Sequence, residues 1–138
     1  KNLNTRQSIF LFKLRNSKFV REHSYSKKKL KLNNHHDWIS RFYKNKKNKI
    51  FLIYKAKLMI GYIRMELDRS RLNTSWALQK NFHNKGIMSN ELLNATKNKL
   101  KKYKCLIHKN NIASITVAKR AKFICKEKKG IYFLFIKN

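Results

Sequence analysis

"FHNKGIMSNELL", residues 82–93, sets a lone glycine between a cationic stretch and a helical pattern, in a chain with only three glycines. A turn centred on Gly86 that opens a helix at Ile87 leaves several peptide N–H groups unpaired and pointing outward. The positive end of the helix dipole lies at the same place, so such a start suits an anion, above all a phosphate. The same residues also read as an ordinary helix start with a glycine for the turn. The elements on either side must decide between the two.

Upstream, "KIFLIYK" (49–55) and "LMIGYIRMEL" (58–67) are apolar and β-rich and are joined by "AK", which predicts an antiparallel hairpin. A third strand, "NTSWALQ", covers 73–79. Before the hairpin, Ser8 is placed to cap a helix reaching Asn16. Asn33 or Asn34 is placed to cap another reaching Lys44, with Trp38, Ile39 and Phe42 on one face. Downstream, Met88, Leu92, Thr96 and Leu100 recur every four residues and predict one long helix. "YKCLIHK" (103–109) reads as a strand and "NIASITVAKRAKF" (111–123) as a helix with Asn111 at its cap. "FICKE", a turn at Lys129-Gly130 and "IYFLFI" close the chain. The order α-α-β-β-β-α-β-α-β-β predicts one α/β domain over 1–138, with a mixed sheet and helices on both faces. A helix start follows each of two adjacent strands. If those strands splay apart, the unpaired backbone between them suits an extended amide ligand.

The 138 residues suffice for one core, and 42% hydrophobic with 12% aromatic content fits a folded protein. No apolar run approaches the roughly 20 residues of a membrane span, and "SIFLFKL" is too short for a secretory core, so the cytoplasm is expected. Cys105 and Cys125 fit no metal spacing and are expected to be reduced, buried thiols; no metal is expected. Net charge is +29, from 35 Lys and Arg against 6 acids. These cations are scattered, chiefly lysine, beside abundant Asn and Ile and no proline. That pattern reads either as AT-rich compositional drift or as a polyanion-binding surface with steep salt dependence.

Order and residues together resemble the GNAT acyltransferase superfamily over nearly the whole chain. Its central motif, an Arg or Gln, two residues, Gly, one residue, then Gly or Ala, is matched by His83-Asn84-Lys85-Gly86-Ile87-Met88, followed by Ser89 and Leu92-Leu93. Its later motif is matched by Asn111-Ile112-Ala113-Ser114 and Lys122-Phe123. Five positions depart from the pattern: His83, Asn84, Met88, Lys122, and Ala118 where many relatives place a tyrosine acid. Met88 is expected to crowd the phosphate turn unless it points into the core. The N-terminal half resembles the branch that acetylates nucleotide-linked amino sugars in pseudaminic-acid-type biosynthesis, through Arg15-Asn16, Arg21 and His35-x-x-Trp38. It also resembles the ribosomal-protein N-terminal acetyltransferases.

The resemblance implies a mixed, mostly antiparallel sheet with a splayed central strand pair, and an acetyl-CoA-dependent N-acetyltransferase acting by direct attack of a primary amine in a ternary complex. Backbone groups of Leu78, Gln79 and Lys80 would pair with the pantetheine of acetyl-CoA, and a peptide N–H near Leu78 would face the thioester oxygen. His83 and the N–H groups from Asn84 through Lys85, Gly86, Ile87 and Met88 to Ser89 would hold the pyrophosphate. Asn111 and Ser114 would bind the cofactor from the other side of the splay. Glu66 is the candidate base, with His35 as an alternative base or substrate contact. Arg15, Asn16 and Arg21 would bind the pyrophosphate of a nucleotide sugar, and Trp38 would stack on it. A peptide acceptor, or a non-catalytic basic module that binds RNA, are the competing readings. A monomer or homodimer is expected.

Overall fold

The computed structural model describes residues 2–138. Three helices come first: α1 (Thr5–Asn16), α2 (Lys18–Glu22) and α3 (Leu32–Phe42). Then follow β1 (Lys49–Lys55), β2 (Leu58–Asp68), β3 (Arg71–Leu78), α4 (Ile87–Ala95), β4 (Tyr103–His108), α5 (Ile112–Arg120), β5 (Ile124–Lys129) and β6 (Tyr132–Lys137). α1 starts earlier than Ser8 predicts, because Asn4 and Gln7 form a reciprocal capping box. α2 has no counterpart in the sequence reading. α3 begins at Leu32, so Asn33 and Asn34 lie inside it and neither is its cap.

The six strands form one sheet in the order β1-β2-β3-β4-β6-β5, antiparallel everywhere except between β3 and β4. Alternation along the strands sends one side of each to either face. On one face, Ile63, Met65, Leu78, Cys105 and Phe135 pack against Met88 and Leu92 of α4 and Ile115 and Ala118 of α5. On the other, Tyr62 and Ala77 pack against Leu11 and Leu14 of α1, with Trp38 and Ile39 of α3 beside them. Helices therefore cover both faces, as the apolar pattern requires.

α4 is shorter than its spacing predicts. The Thr96 hydroxyl turns back to the Leu92 carbonyl, and Asn98 accepts the Leu100 N–H, so local side-chain bonds end the helix. Leu100, expected on the buried face, is 95% exposed. Cys125 is exposed as well, because β5 is an edge strand with every residue open to solvent; only Cys105 is the buried thiol expected.

The join between β3 and β4 positions the site. Only Leu72↔Tyr103 and Asn73↔Lys104 pair, after which the strands separate towards Leu78 and His108. No helix among the described residues is long and apolar enough to cross a membrane.

Candidate active site

A cleft of about 840 Å³ opens where β3 and β4 part. It is lined by Asn73 to Leu78, Cys105 to His108, the turn from Phe82 to Ser89, the start of α5, and part of α1 and α2. The register shows which backbone groups face it. Residues of an antiparallel ladder alternate between bonding the neighbour and pointing away. The Gln79 N–H bonds Ile60 O at 2.8 Å, and the Leu72 N–H turns the other way, to Lys102 O at 2.8 Å. Trp76 and Leu78 therefore point their peptide groups into the gap beside β4. Gln79 and Lys80, expected to offer backbone there, do not line the cleft. The Gln79 carbonyl accepts the Phe82 N–H and the Lys80 carbonyl the His83 N–H, both inside a short 3₁₀ turn.

His83 also differs from expectation. Its Nε2–H donates to Leu78 O at 2.8 Å and its ring meets Phe19 edge-on, so it ties the turn to the end of β3. Beyond it, Asn84 (φ 60°) and Gly86 (φ 73°) are both left-handed, which swings the chain into α4. A Cβ on Gly86 would meet no protein atom within 4 Å, so the space beside it is free for a ligand. α4 has no side-chain cap. Its first intrahelical bond is Asn90 N–H to Gly86 O, leaving the N–H groups of Ile87, Met88 and Ser89 without helical partners. Lys85 adds a positive charge on the cleft wall. The Met88 side chain is 5% exposed and packed in the core with Leu92, so it does not crowd this turn. At the neighbouring helix start, Asn111 Oδ1 accepts the Ser114 N–H at 3.1 Å, so part of that start is already satisfied from within.

The candidate catalytic residues lie elsewhere. Glu66 sits opposite Asn73, at the closed end where β3 still pairs with β4, and does not line the cleft. His35 is 3% exposed between α1 and α3, donating to Ser8 O at 3.0 Å and packed beside Phe12 and Trp38. Burial lowers its pKa below the ordinary 6.5, and it fastens two helices outside the cleft. Ala118, which departs from the family pattern by lacking a tyrosine acid, is fully buried in the core.

Of the acceptor candidates, only Arg15 lines the cleft. Arg21 Nε donates to Asn16 O, and its Nη1 donates to Lys27 O. Asn16 exchanges two bonds with the Leu30 backbone. Both residues therefore shape the loop after α2. Trp38 lies behind the sheet face, with the Arg64 guanidinium 5.3 Å from its ring centre.

Among the described residues no Asp or Glu lines the cleft, and its charged side chains are Arg15, Arg64, Lys85 and Arg120. Three histidines join them: His23, His83 and His108. His23 Nδ1–H donates to Phe19 O at 3.0 Å, so the neutral ring keeps its Nε2 lone pair. His108 is the reverse. Its Nδ1 accepts the Asn110 N–H at 3.0 Å, which leaves Nε2–H as a donor. Neither residue stands out in the sequence, because nothing local marks a histidine as reaching a distant gap. Cys105 reaches the cleft floor, but burial pushes its thiol up to about 12.

A left-handed turn into an uncapped helix, beside two parallel strands that separate, is the architecture expected from the sequence motifs. Residues 7–124 match the family described as acetyltransferase (GNAT) domain. The chain belongs to the GNAT family. As a GNAT acetyltransferase it uses acetyl-CoA as acyl donor, and the cleft fits that donor: free N–H groups at α4 for phosphate, and the Trp76 peptide groups with the Leu78 N–H for an amide chain, the Leu78 carbonyl being taken by His83. Solved structures share the fold at low identity. The Campylobacter jejuni N-acetyltransferase PseH in complex with acetyl coenzyme A is 17% identical with a TM-score of 0.71, covering 98% of this chain and 92% of that one. Ribosomal-protein-alanine N-acetyltransferase from Brucella melitensis is 15% identical with a TM-score of 0.77, covering 99% and 97%. Spermidine N-acetyltransferase from Vibrio cholerae, solved with CoA and spermine, is 10% identical with a TM-score of 0.80, covering 99% and 90%. Comparison with curated protein sequences finds no significant match.

Proposed function

We propose that this GNAT enzyme acetylates the primary amine of a nucleotide-linked amino sugar by direct attack in a ternary complex. The observation that carries this reading is the charge of the cleft: among the described residues, four fixed cations and no carboxylate line it. An acceptor such as spermine is a polycation and needs acidic partners to offset its ammonium groups, as does a basic peptide tail. An anionic acceptor meets complementary charge here and is drawn in by the field of the whole chain. When bound, acetyl-CoA supplies an activated thioester. The Trp76 and Leu78 N–H groups are placed to hold the donor as an added strand and to stabilise charge on a carbonyl oxygen.

A covalent acyl-enzyme on Cys105 is disfavoured, because a thiol raised to about 12 is protonated at neutral pH. With Glu66 and His35 outside the cleft, the His23 Nε2 lone pair is the acceptor for the amine proton, directly or through water. The departing thiolate takes its proton from solvent.

The assay that tests this offers a UDP-linked 4-amino sugar and a basic N-terminal peptide separately to the protein with acetyl-CoA. Sugar acetylation that falls as ionic strength rises supports the reading. Acetylation of the peptide alone ends it.

A further inference from the structure

Two guanidinium groups on the acceptor side of the cleft are left unsatisfied by the fold. Arg15 lies in the last turn of α1, and Arg64 lies on β2 opposite Ser75, just beyond the last paired residues of β3 and β4. Both line the cleft. Arg15 Nη2 donates to Ser26 O at 3.1 Å, but its Nη1 is buried without a partner. Arg64 Nε is likewise buried and unpartnered, while the guanidinium stacks over Trp38. Neither arginine forms an ion pair with a carboxylate among the described residues. The two are close enough for each charge to act on the Tyr62 hydroxyl, and the Arg15 pKa is lowered chiefly by burial and further by the Arg64 charge.

Burying a charged donor without an acceptor is among the costliest arrangements a fold can keep, and a second like charge nearby makes it worse. An anion with several acceptor oxygens in the cleft offsets both charges at once through the guanidinium N–H groups that stay accessible, and planar guanidinium forks suit a phosphoryl group best. We propose that Arg15 and Arg64 together form the seat for a phosphoryl group of the acceptor, with Trp38 holding Arg64 in place. The proposal rests on the reading of an anionic, nucleotide-linked acceptor, but it assigns the recognition to Arg64 as partner of Arg15, in place of Asn16 and Arg21. It also separates two phosphate seats: peptide N–H groups at α4 on the donor side, arginine side chains on the acceptor side.

Calorimetry on protein already saturated with CoA tests it, using inorganic pyrophosphate, UDP and uridine at fixed salt. Pyrophosphate and UDP should bind the wild type, and uridine should not. Arg15→Gln and Arg64→Gln should each weaken pyrophosphate roughly tenfold or more, with CoA affinity unchanged. Arg64→Lys should recover little, because the fork is lost. Lys28→Gln, in the loop after α2, controls for general charge and should bind as wild type. Wild-type pyrophosphate affinity in both arginine variants, or equal weakening by Lys28→Gln, overturns the seat. UDP binding no tighter than pyrophosphate, with the arginine effects intact, leaves the seat standing and removes the nucleotide reading instead. Should one variant fail to fold, the other carries the same test.

Discussion

α4 and α5 both start at the mouth of the same cleft, and they treat their first turns in opposite ways. Asn111 accepts the Ser114 N–H and closes off part of the α5 start. Gly86 brings no side chain, and the first-turn N–H groups of α4 are left open. A helix that caps itself serves its own stability, whereas one that stays open keeps its dipole for a guest. The pair shows that a ligand seat is recognised as much by the missing cap as by any residue present. By the same contrast Gly86 marks the open start, and the Asn111 side chain is spent as a cap.

The largest effect expected of any substitution here comes from Met88, which props the α4 start from the core. Met88→Gly leaves a cavity and costs helix propensity, so unfolding stability should fall by about 3–5 kcal/mol, measured by urea denaturation. Tighter acetyl-CoA binding in the surviving folded fraction would show that Met88 does crowd the turn. Next comes Gly86→Val. A branched residue at φ 73° is strained, and its side chain fills the open space beside the turn. Acetyl-CoA affinity should fall by at least ~2 kcal/mol in calorimetry. Unchanged affinity with an intact fold would break the contrast between the two starts.

Asn111→Ala should sharpen that contrast. It should cost roughly 1 kcal/mol of stability through the lost cap, with little change in acetyl-CoA affinity. A loss of affinity larger than the loss of stability would return Asn111 to the cofactor site. The smallest effect belongs to His35, far from both starts. Its folded pKa lies below 6.5, so as pH falls through that value the unfolded chain binds a proton that the folded chain resists. Stability should therefore decline below about pH 6.5 and be indifferent to this residue well above it. His35→Phe should flatten that part of the pH profile, whatever it does to stability at pH 8.

The hairpin and both helix starts at the cleft were legible because each has a local signature: alternation, a glycine, an asparagine; the splay has none and follows only from the family resemblance. The α4 C-terminus was not, since Leu100 continues a four-residue spacing that says nothing of where Thr96 and Asn98 bond. The base was misplaced for a geometric reason. Arg64 and Glu66 share a strand face and differ by two residues, about 7 Å. Only the register with β3 shows that the first stands opposite the open end and the second opposite the closed end. His23 and His108 were invisible because each reaches the cleft from the end of an element whose direction the sequence does not state.

The open turn before α4 has a consequence for how far such a chain can change and still work. Its donors are peptide groups, which every residue but proline carries, and this chain has no proline. The constraint falls instead on backbone conformation at Asn84 and Gly86, both left-handed. Asparagine is the non-glycine residue that tolerates that conformation best, and it is among the residues an AT-rich coding sequence supplies most freely. A site read out in main-chain amides can thus absorb a drift towards lysine, asparagine and isoleucine that would have erased one written in side chains.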